Sequence, residues 1–353
     1  MKLKVIFIIP SLRPGGAERV MSFLANNLNS QFISTKLVII EKEENKAYEV
    51  NNTSIIFLNK KSVKSSVFKI IYLLHKEKPQ VVISAIGHVN AALAIISILF
   101  PKITFIGRET IVSKKSKKIN TLSKIFSYLL HGMKSKFLDI IICQSNDMKN
   151  ALERDYNYPS KKLVIINNPI TKKFNLKKEF SCKRTIPKMI TVGRLTKQKG
   201  YARILLALSK LKIPFKYTII GQGPEYDMIM NLIKTYNLAD SVEYIPFTNK
   251  VEHYLSISDL YLQGSFVEGF PNALIETCAV GTPAIAYKAP GGIDEIIKNN
   301  INGFIAEDDE DFLAKIILGL KKEWNPVEIR ESVFSKYSEE KIIKKYQKLL
   351  LSI

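Results

Sequence analysis

Gly264-Ser265-Phe266-Val267-Glu268-Gly269-Phe270-Pro271-Asn272-Ala273-Leu274-Ile275-Glu276 is the stretch whose reading decides the fold of this chain. The apolar run Asp259-Leu260-Tyr261-Leu262 precedes it and reads as a short buried strand. Pro271 suits the first turn of a helix, where its missing N–H would lack a partner anyway. The pattern predicts a helix over Asn272–Val280, stopped at Gly281 with Pro283 just beyond. Glu268 then lies in the loop and Glu276 inside the helix, with seven residues between them. The free N–H groups and positive dipole end of such a helix attract an anion. Carboxylates beside it repel a phosphate but accept hydrogen bonds from hydroxyls. A ligand with both phosphates and hydroxyls, a nucleotide sugar, meets both demands. The alternative is that the two glutamates only cap and solvate a helix.

Composition sets the frame. A chain of 353 residues, 46% hydrophobic, is long enough for two domains with real cores. The three cysteines, Cys143, Cys182 and Cys278, are far apart, which excludes a disulfide framework or a cysteine-rich zinc site and fits a reducing cytoplasm. The net charge of +21 is uneven: residues 1–180 hold 30 Lys and Arg against 12 Asp and Glu, and the remainder 23 against 20. One basic half facing an anionic surface is the implication, with nucleic acid or anionic lipid as candidates. Val5–Ile9 is too short for a signal peptide. Val81–Pro101 lacks Asp, Glu, Lys and Arg and has the length of a membrane span. The polar turn-like cluster Gly87-His88-Val89-Asn90 divides it, so a strand, Val81–Ser84, and a helix, Asn90–Leu99, are expected instead.

From the start of the chain, Lys2–Pro10 reads as a buried strand, followed by Pro14-Gly15-Gly16-Ala17-Glu18-Arg19 and a helix to about Asn27. Strand, glycine turn and helix make a phosphate-binding geometry, although without G-x-G-x-x-G no dinucleotide site is indicated and the Gly-Gly pair reads equally as an ordinary tight turn. Further short strands at 36–40, 55–58, 81–84, 103–106, 139–143 and 163–166 alternate with helical patterns, which implies a parallel sheet covered on both faces. His88 and Glu109 stand at strand carboxyl ends, where such sheets bind ligands. Each also has a plain reading: His88 as a turn histidine, Glu109 as half of an exposed pair with Arg108. Lys114-Lys115-Ser116-Lys117-Lys118 leads a helix to Phe137 with apolar residues at helical spacing, among them Phe126 and Leu130. Such a segment either lies on an anionic membrane or packs in the core behind a solvated basic lead. Asn167–Thr171 reads as a linker. A second sheet then starts at Met189–Val192, and Arg194 and Lys199 follow it on one strand-to-helix loop, where they either clamp a diphosphate or are plain surface charges. The acidic run Glu307–Asp311 complements the dipole of the helix after it. No D-x-D ends a strand, so no metal is expected. A final helix, Glu339–Leu351, follows Ser338 as N-cap.

Glu268 and Glu276, with Gly269-Phe270-Pro271 between them, resemble the E-x7-E element of the family-4 glycosyltransferases. Gly193-Arg194-Leu195…Lys199-Gly200, Gly221-Gln222-Gly223-Pro224, Gly291-Gly292 and the Gly15-Gly16 loop are similar to that family as well. The resemblance is closest over residues 189–305 and looser before them. It implies the α/β GT-B fold, two Rossmann-like domains with parallel sheets facing across a cleft: residues 1–168 for the acceptor, 169–335 for the donor, and a helix at 336–353 crossing back. It implies catalytic roles for Glu268, which would hold sugar hydroxyls, and for Arg194 and Lys199 on the diphosphate. Donor contacts follow at Gly16, Gly193, Gly221, Gly223, Phe247, Gly269, Phe270, Pro271, Asn272 and Ala273, with Glu276 on the ribose. Acceptor contacts follow at Gly15, His88 and Glu109. The family often has His or Arg where this chain has Glu109.

The expected activity is retaining transfer of a hexosyl or N-acetylhexosaminyl group, without a cofactor. The donor would be a nucleotide sugar, a UDP-sugar, and the acceptor a lipid-linked saccharide of surface polysaccharide synthesis. The enzyme would sit peripherally on the anionic inner face of the cytoplasmic membrane. A nucleotide-sugar epimerase of the same architecture is the alternative, since fold alone does not set the reaction. A nucleic-acid-binding protein has only the charge in its favour, with no recognition module, and ranks last.

Overall fold

The computed structural model describes residues 2–43, 47–110, 121–171, 174–177 and 185–353. The basic cluster Lys114–Lys118 lies outside them. The described chain divides into two compact units, one of Met1–Thr171 with Glu339–Ile353 and the other of Lys172–Ser338.

In the first unit seven parallel strands run in the order β3-β2-β1-β4-β5-β6-β7: β1 Leu3–Ile9, β2 Ile33–Ile39, β3 Ser54–Phe57, β4 Val81–Ala85, β5 Thr104–Arg108, β6 Ile140–Cys143 and β7 Leu163–Ile165. Five helices follow in turn: α1 Gly16–Leu28, α2 Val63–Glu77, α3 Gly87–Ile96, α4 Thr121–Phe137 and α5 Asn146–Tyr156. β1 is buried from Val5 to Ile9 because it lies between β2 and β4 with helices on both faces, so it reads as continuous apolar sequence.

The second unit repeats the plan with six parallel strands in the order β10-β9-β8-β11-β12-β13. These are β8 Lys188–Val192, β9 Lys216–Ile220, β10 Val242–Ile245, β11 Leu260–Gln263, β12 Ala284–Tyr287 and β13 Gly303–Ala306. The helices are α6 Tyr201–Ser209, α7 Tyr226–Thr235, α8 Val251–Ser256, α9 Asn272–Ala279, α10 Ile293–Ile296, α11 Asp309–Lys321 and α12 Pro326–Tyr337. The last helix, α13 Glu339–Leu351, buries Ile342, Tyr346 and Leu350 in the core of the first unit beside α1.

Strand order reverses at β1/β4 in one sheet and at β8/β11 in the other. Loops leaving the carboxyl ends of those strands splay apart, and the crevice between them is where open α/β sheets bind ligands.

Three local expectations need correction. Pro271 precedes α9 as its N-cap, with ψ 93°, rather than opening its first turn. Gly87–Asn90 is the first turn of α3 and not a loop. The chain turns instead at Ile86, whose φ of +77° is strained for a β-branched residue. Asn167 and Asn168 are buried rather than part of a solvated linker: Asn167 Nδ2 donates to the Gln144 carbonyl at 2.9 Å, and Asn168 Oδ1 accepts from the Arg108 guanidinium.

Candidate active site

The loops after β8 and β11 meet in the second unit. β8 ends at Val192, and Gly193 and Arg194 follow; β11 ends at Gln263, and the loop to α9 carries Glu268. Lys199 Nζ lies 2.6 Å from Glu268 Oε1, with side-chain exposures of 27% and 7%. The same oxygen accepts from Gln263 Nε2 at 2.9 Å and Ser265 Oγ at 2.5 Å. Three donors on one buried oxygen fix the carboxylate and keep its charge compensated.

Backbone contacts hold this arrangement. Phe266 N donates to the Gln198 carbonyl at 2.9 Å, and Gln198 Nε2 to the Val267 carbonyl at 2.7 Å, so the Lys199 loop and the Glu268 loop are laced together. Gly200 takes φ +64°, and a Cβ there would fall 1.9 Å from the Gly264 carbonyl oxygen. Gly291 takes φ +122° behind the Glu268 backbone, where a Cβ would meet the Glu268 oxygen at 2.4 Å. Only glycine fits such positions.

Arg203 on α6 was not singled out from sequence. Its Nε donates to the Gly264 carbonyl at 2.7 Å and its Nη2 to that of Ser265. The guanidinium is held between the rings of Phe266 and Tyr287, at 4.0 and 3.7 Å from their centroids. It fastens the start of the Glu268 loop to α6. Gln263, Ser265 and Tyr261 were missed as well. Tyr261 is fully buried beneath the loop, its hydroxyl donating to the Val192 carbonyl at 3.3 Å. Burial, with Glu268 and Glu276 nearby, pushes its phenol well above the ordinary range.

Most of the other residues expected to contact the donor also belong to the second unit, on several loops and helices. Arg194 is exposed on its loop. Glu276 is buried on α9, and Asn272 and Ala273 form that helix's first turn. Gly221 and Gly223 run beside the β8 loop, where Gly193 N donates to the Ile220 carbonyl and Leu195 N to that of Gln222, both at 2.9 Å. Phe247 is 64% exposed after β10. Gly269 and Pro271 are buried. The Phe270 side chain is committed elsewhere: it is buried, edge-on to Tyr337 at 5.2 Å between centroids. Only its backbone is left to meet a ligand.

Gly15, Gly16, His88 and Glu109 all belong to the first unit, at the carboxyl ends of β1, β4 and β5. Gly15 is extended and caps α1, which starts at Gly16. Its N–H donates to the Tyr48 hydroxyl at 2.8 Å, and that hydroxyl donates to its carbonyl at 2.9 Å. His88 is exposed on the first turn of α3. Arg108 and Glu109 are not an exposed pair: they are 0% and 6% exposed. Glu109 Oε1 accepts from Lys134 Nζ at 2.7 Å and Asn90 Nδ2 at 3.3 Å, while its backbone oxygen takes Gln144 Nε2 at 2.6 Å. Burial pushes the Glu109 carboxyl up, but Lys134 overrides it and holds the group below its usual range. Three residues before Lys134 on α4, His131 stacks on Tyr156 at 3.7 Å and its Nδ1 lies 3.1 Å from the Tyr158 hydroxyl. Burial, reinforced by Lys134, lowers the imidazole to about 4.

Known proteins agree with this architecture. Residues 172–341 match the family described as "Glycosyl transferases group 1", and residues 14–173 match "Glycosyltransferase Family 4". The amylovoran biosynthesis glycosyltransferase AmsD of Erwinia amylovora is 26% identical over 98% of this chain and 99% of its own. An N-acetylgalactosamine-N,N'-diacetylbacillosaminyl-diphospho-undecaprenol 4-alpha-N-acetylgalactosaminyltransferase of Campylobacter jejuni is 27% identical over 87% of each chain. Among solved structures, HepE of Anabaena in complex with UDP and glucose superposes with a TM-score of 0.81 at 15% identity, over 99% of this chain and 100% of that one. Both matching families are transferases, which sets the epimerase alternative aside. With two parallel α/β sheets and two glycosyltransferase regions spanning nearly its whole length, the chain belongs to the GT-B glycosyltransferases of the family-4 type.

Proposed function

We propose that this enzyme is a retaining transferase of surface polysaccharide synthesis. It moves a hexosyl or N-acetylhexosaminyl group from a UDP-sugar to a lipid-linked saccharide at the inner face of the cytoplasmic membrane. The observation that carries the reading is the Lys199–Glu268 pair, a cation and a carboxylate from opposite sides of the β8/β11 reversal. Lys199 and Arg194 would stabilise the departing diphosphate, where negative charge grows as the bond from sugar C1 to phosphate oxygen breaks. Glu268 would accept hydrogen bonds from sugar hydroxyls, and Glu276 from the ribose. The acceptor hydroxyl attacks C1 on the face the diphosphate leaves, and its proton passes to the departing phosphate oxygen. No protein nucleophile is then needed. The donor class is supported by HepE, solved with UDP and glucose, and the acceptor class by the Campylobacter relative, whose name includes a diphospho-undecaprenol saccharide.

A screen of nucleotide sugars for release of free nucleoside diphosphate, with the product anomer read by proton NMR, tests the reading. A UDP-sugar hydrolysed or transferred with its anomeric configuration kept is expected. An inverted product would overturn the retaining mechanism, and activity with no nucleotide sugar would overturn the donor class.

A further inference from the structure

We propose that the first unit carries a groove for the hydrocarbon tail of the acceptor lipid, bordered by α2, α3 and α4. The inference rests on the lipid-linked acceptor reading above. A cavity of about 720 Å³ lies there, within the roughly 300–1,000 Å³ typical of small-molecule sites. Val63 and Val67 of α2, Ala92 and Ile95 of α3 and Leu130 of α4 give it apolar walls. Pro10 and Ile40, just after β1 and β2, also line it, as does His88 on the first turn of α3. The groove therefore reaches the carboxyl edge of the sheet, where a sugar acceptor would bind, and runs from there along α3. Lys61 and Lys64 are exposed on its lining, suited to a phosphate at the junction of tail and saccharide, while Glu41, which also lines it, is paired with Arg13 at 2.9 Å.

The helices that border the groove also expose apolar side chains outside it. Phe68 and Tyr72 on α2 are 85% and 68% exposed, Ile98 and Leu99 just beyond α3 57% and 62%, and Leu129 on α4 60%. α2 packs on α3 and α3 on α4, so these side chains sit on neighbouring helices rather than scattered over the fold. Large exposed apolar surface on one side of a unit marks a contact with lipid or partner. Charge decides between them: residues 1–180 hold 30 cations against 12 anions. A second copy of the chain would bring like charge against like, whereas an anionic lipid phosphate at a membrane surface is attracted. The alanine at position 92 leaves room in the groove that a larger side chain would fill.

Binding of radiolabelled undecaprenyl phosphate in nonionic detergent micelles tests the assignment. Ala92→Trp should weaken binding at least tenfold. Ile95→Asn, at a half-exposed position outside the core, should weaken it in the same direction, which separates blocking of the groove from misfolding. Sedimentation with plain phosphatidylglycerol vesicles should change less than twofold in both variants. Equal losses on micelle and vesicle would give the groove to bulk phospholipid and overturn the proposal, and so would unchanged affinity in both variants. Transfer of labelled sugar into a membrane lipid extract tests the acceptor reading separately. Transfer by the unaltered enzyme, with unchanged affinity in both variants, removes the groove and keeps that reading. No transfer into any lipid fraction removes both.

Discussion

Lys199 Nζ and Glu268 Oε1 stand 2.6 Å apart, although 69 residues separate them and each leaves the carboxyl end of a different strand. In the proposed mechanism the contact couples the cation assigned to the diphosphate to the carboxylate assigned to the sugar hydroxyls. Removing either member takes away the ionic partner of the other. Lys199→Met is therefore expected to lower kcat by about 10²–10³, roughly 2.7–4 kcal/mol at the barrier. Arg194→Ala, on the same loop, should cost turnover as well. A double-mutant cycle of Lys199→Met with Glu268→Gln should show marked coupling, since the two share a direct contact. Near wild-type turnover in Lys199→Met would sink the diphosphate assignment.

Arg203 is expected to act on the site through the loop it holds. Arg203→Ala removes two hydrogen bonds to the carbonyls of Gly264 and Ser265 and the guanidinium packed between Phe266 and Tyr287. Hydrogen bonds to a charged group are worth about 1.5–3 kcal/mol each in favourable cases. Thermal stability should fall and the donor KM rise. Arg203→Lys should not restore either, because lysine lacks the planar fork. A lysine variant indistinguishable from the parent in both measurements would show that the fork is not what holds the loop.

Legibility varied with the range of the interactions involved. The two sheets could be read because buried parallel strands are short apolar runs and the helices between them have a different period. Glu268, Arg194 and Lys199 stand out because each occurs in a loop of recognisable composition, and Glu276 because it follows Glu268 with seven residues between them. Arg203 did not, because its partners lie 61 and 62 residues away and nothing local distinguishes it from a surface charge on α6. Lys134 was hidden in the same way: α4 reads as an apolar stripe with a basic lead, yet this lysine turns inward to Glu109, 25 residues earlier. The polar cluster at Gly87–Asn90 looked like a turn. A single strained residue, Ile86, takes the turn instead, and Asn90 is buried to bridge Ser84, at 2.6 Å, and Glu109. Tertiary hydrogen bonding of that kind leaves no trace in local pattern.

Stability should depend on pH through His131. Its imidazole is lowered from 6.5 to about 4 in the fold. The unfolded chain therefore takes up a proton first as pH falls, and stability declines from pH 6.5 toward 4. The full shift corresponds to roughly 3 kcal/mol. Glu109, depressed below 4.5, adds a loss only at lower pH, so the window from 6.5 to 4.5 isolates the histidine from that carboxylate. His131→Phe should flatten the denaturant midpoint across this window, although it costs the contact with the Tyr158 hydroxyl at all pH values. An unchanged slope in that variant would assign the titration to another group.

Transfer should persist in excess EDTA, since Arg194 and Lys199 supply positive charge at the donor loop in the proposed mechanism. Loss of activity in chelator, restored by Mn²⁺ or Mg²⁺, would move the reaction to a metal-dependent class.

Gly291 gives the sharpest test of how the Glu268 carboxylate is held. Its φ is +122°, and a Cβ there would lie 2.4 Å from the Glu268 carbonyl oxygen and 2.7 Å from its Cβ. Glu268 N in turn donates to the Pro290 carbonyl at 2.8 Å, so the two loops are joined at this point. Gly291→Ala introduces strain of about 1–3 kcal/mol and forces the Glu268 backbone to move. The carboxylate would then leave the geometry in which Lys199, Gln263 and Ser265 meet on one oxygen. A displacement of that kind acts on orientation, so kcat should fall by about 10²-fold. The far-ultraviolet circular dichroism spectrum should stay that of the parent. Gly319→Ala provides the contrast. It adds the same methyl group on α11, where its nearest neighbours are side chains at 3.1 to 3.3 Å, and it should leave kcat close to the parent value. Equal losses in the two variants would mean that the effect of Gly291→Ala is general destabilisation and not movement of Glu268.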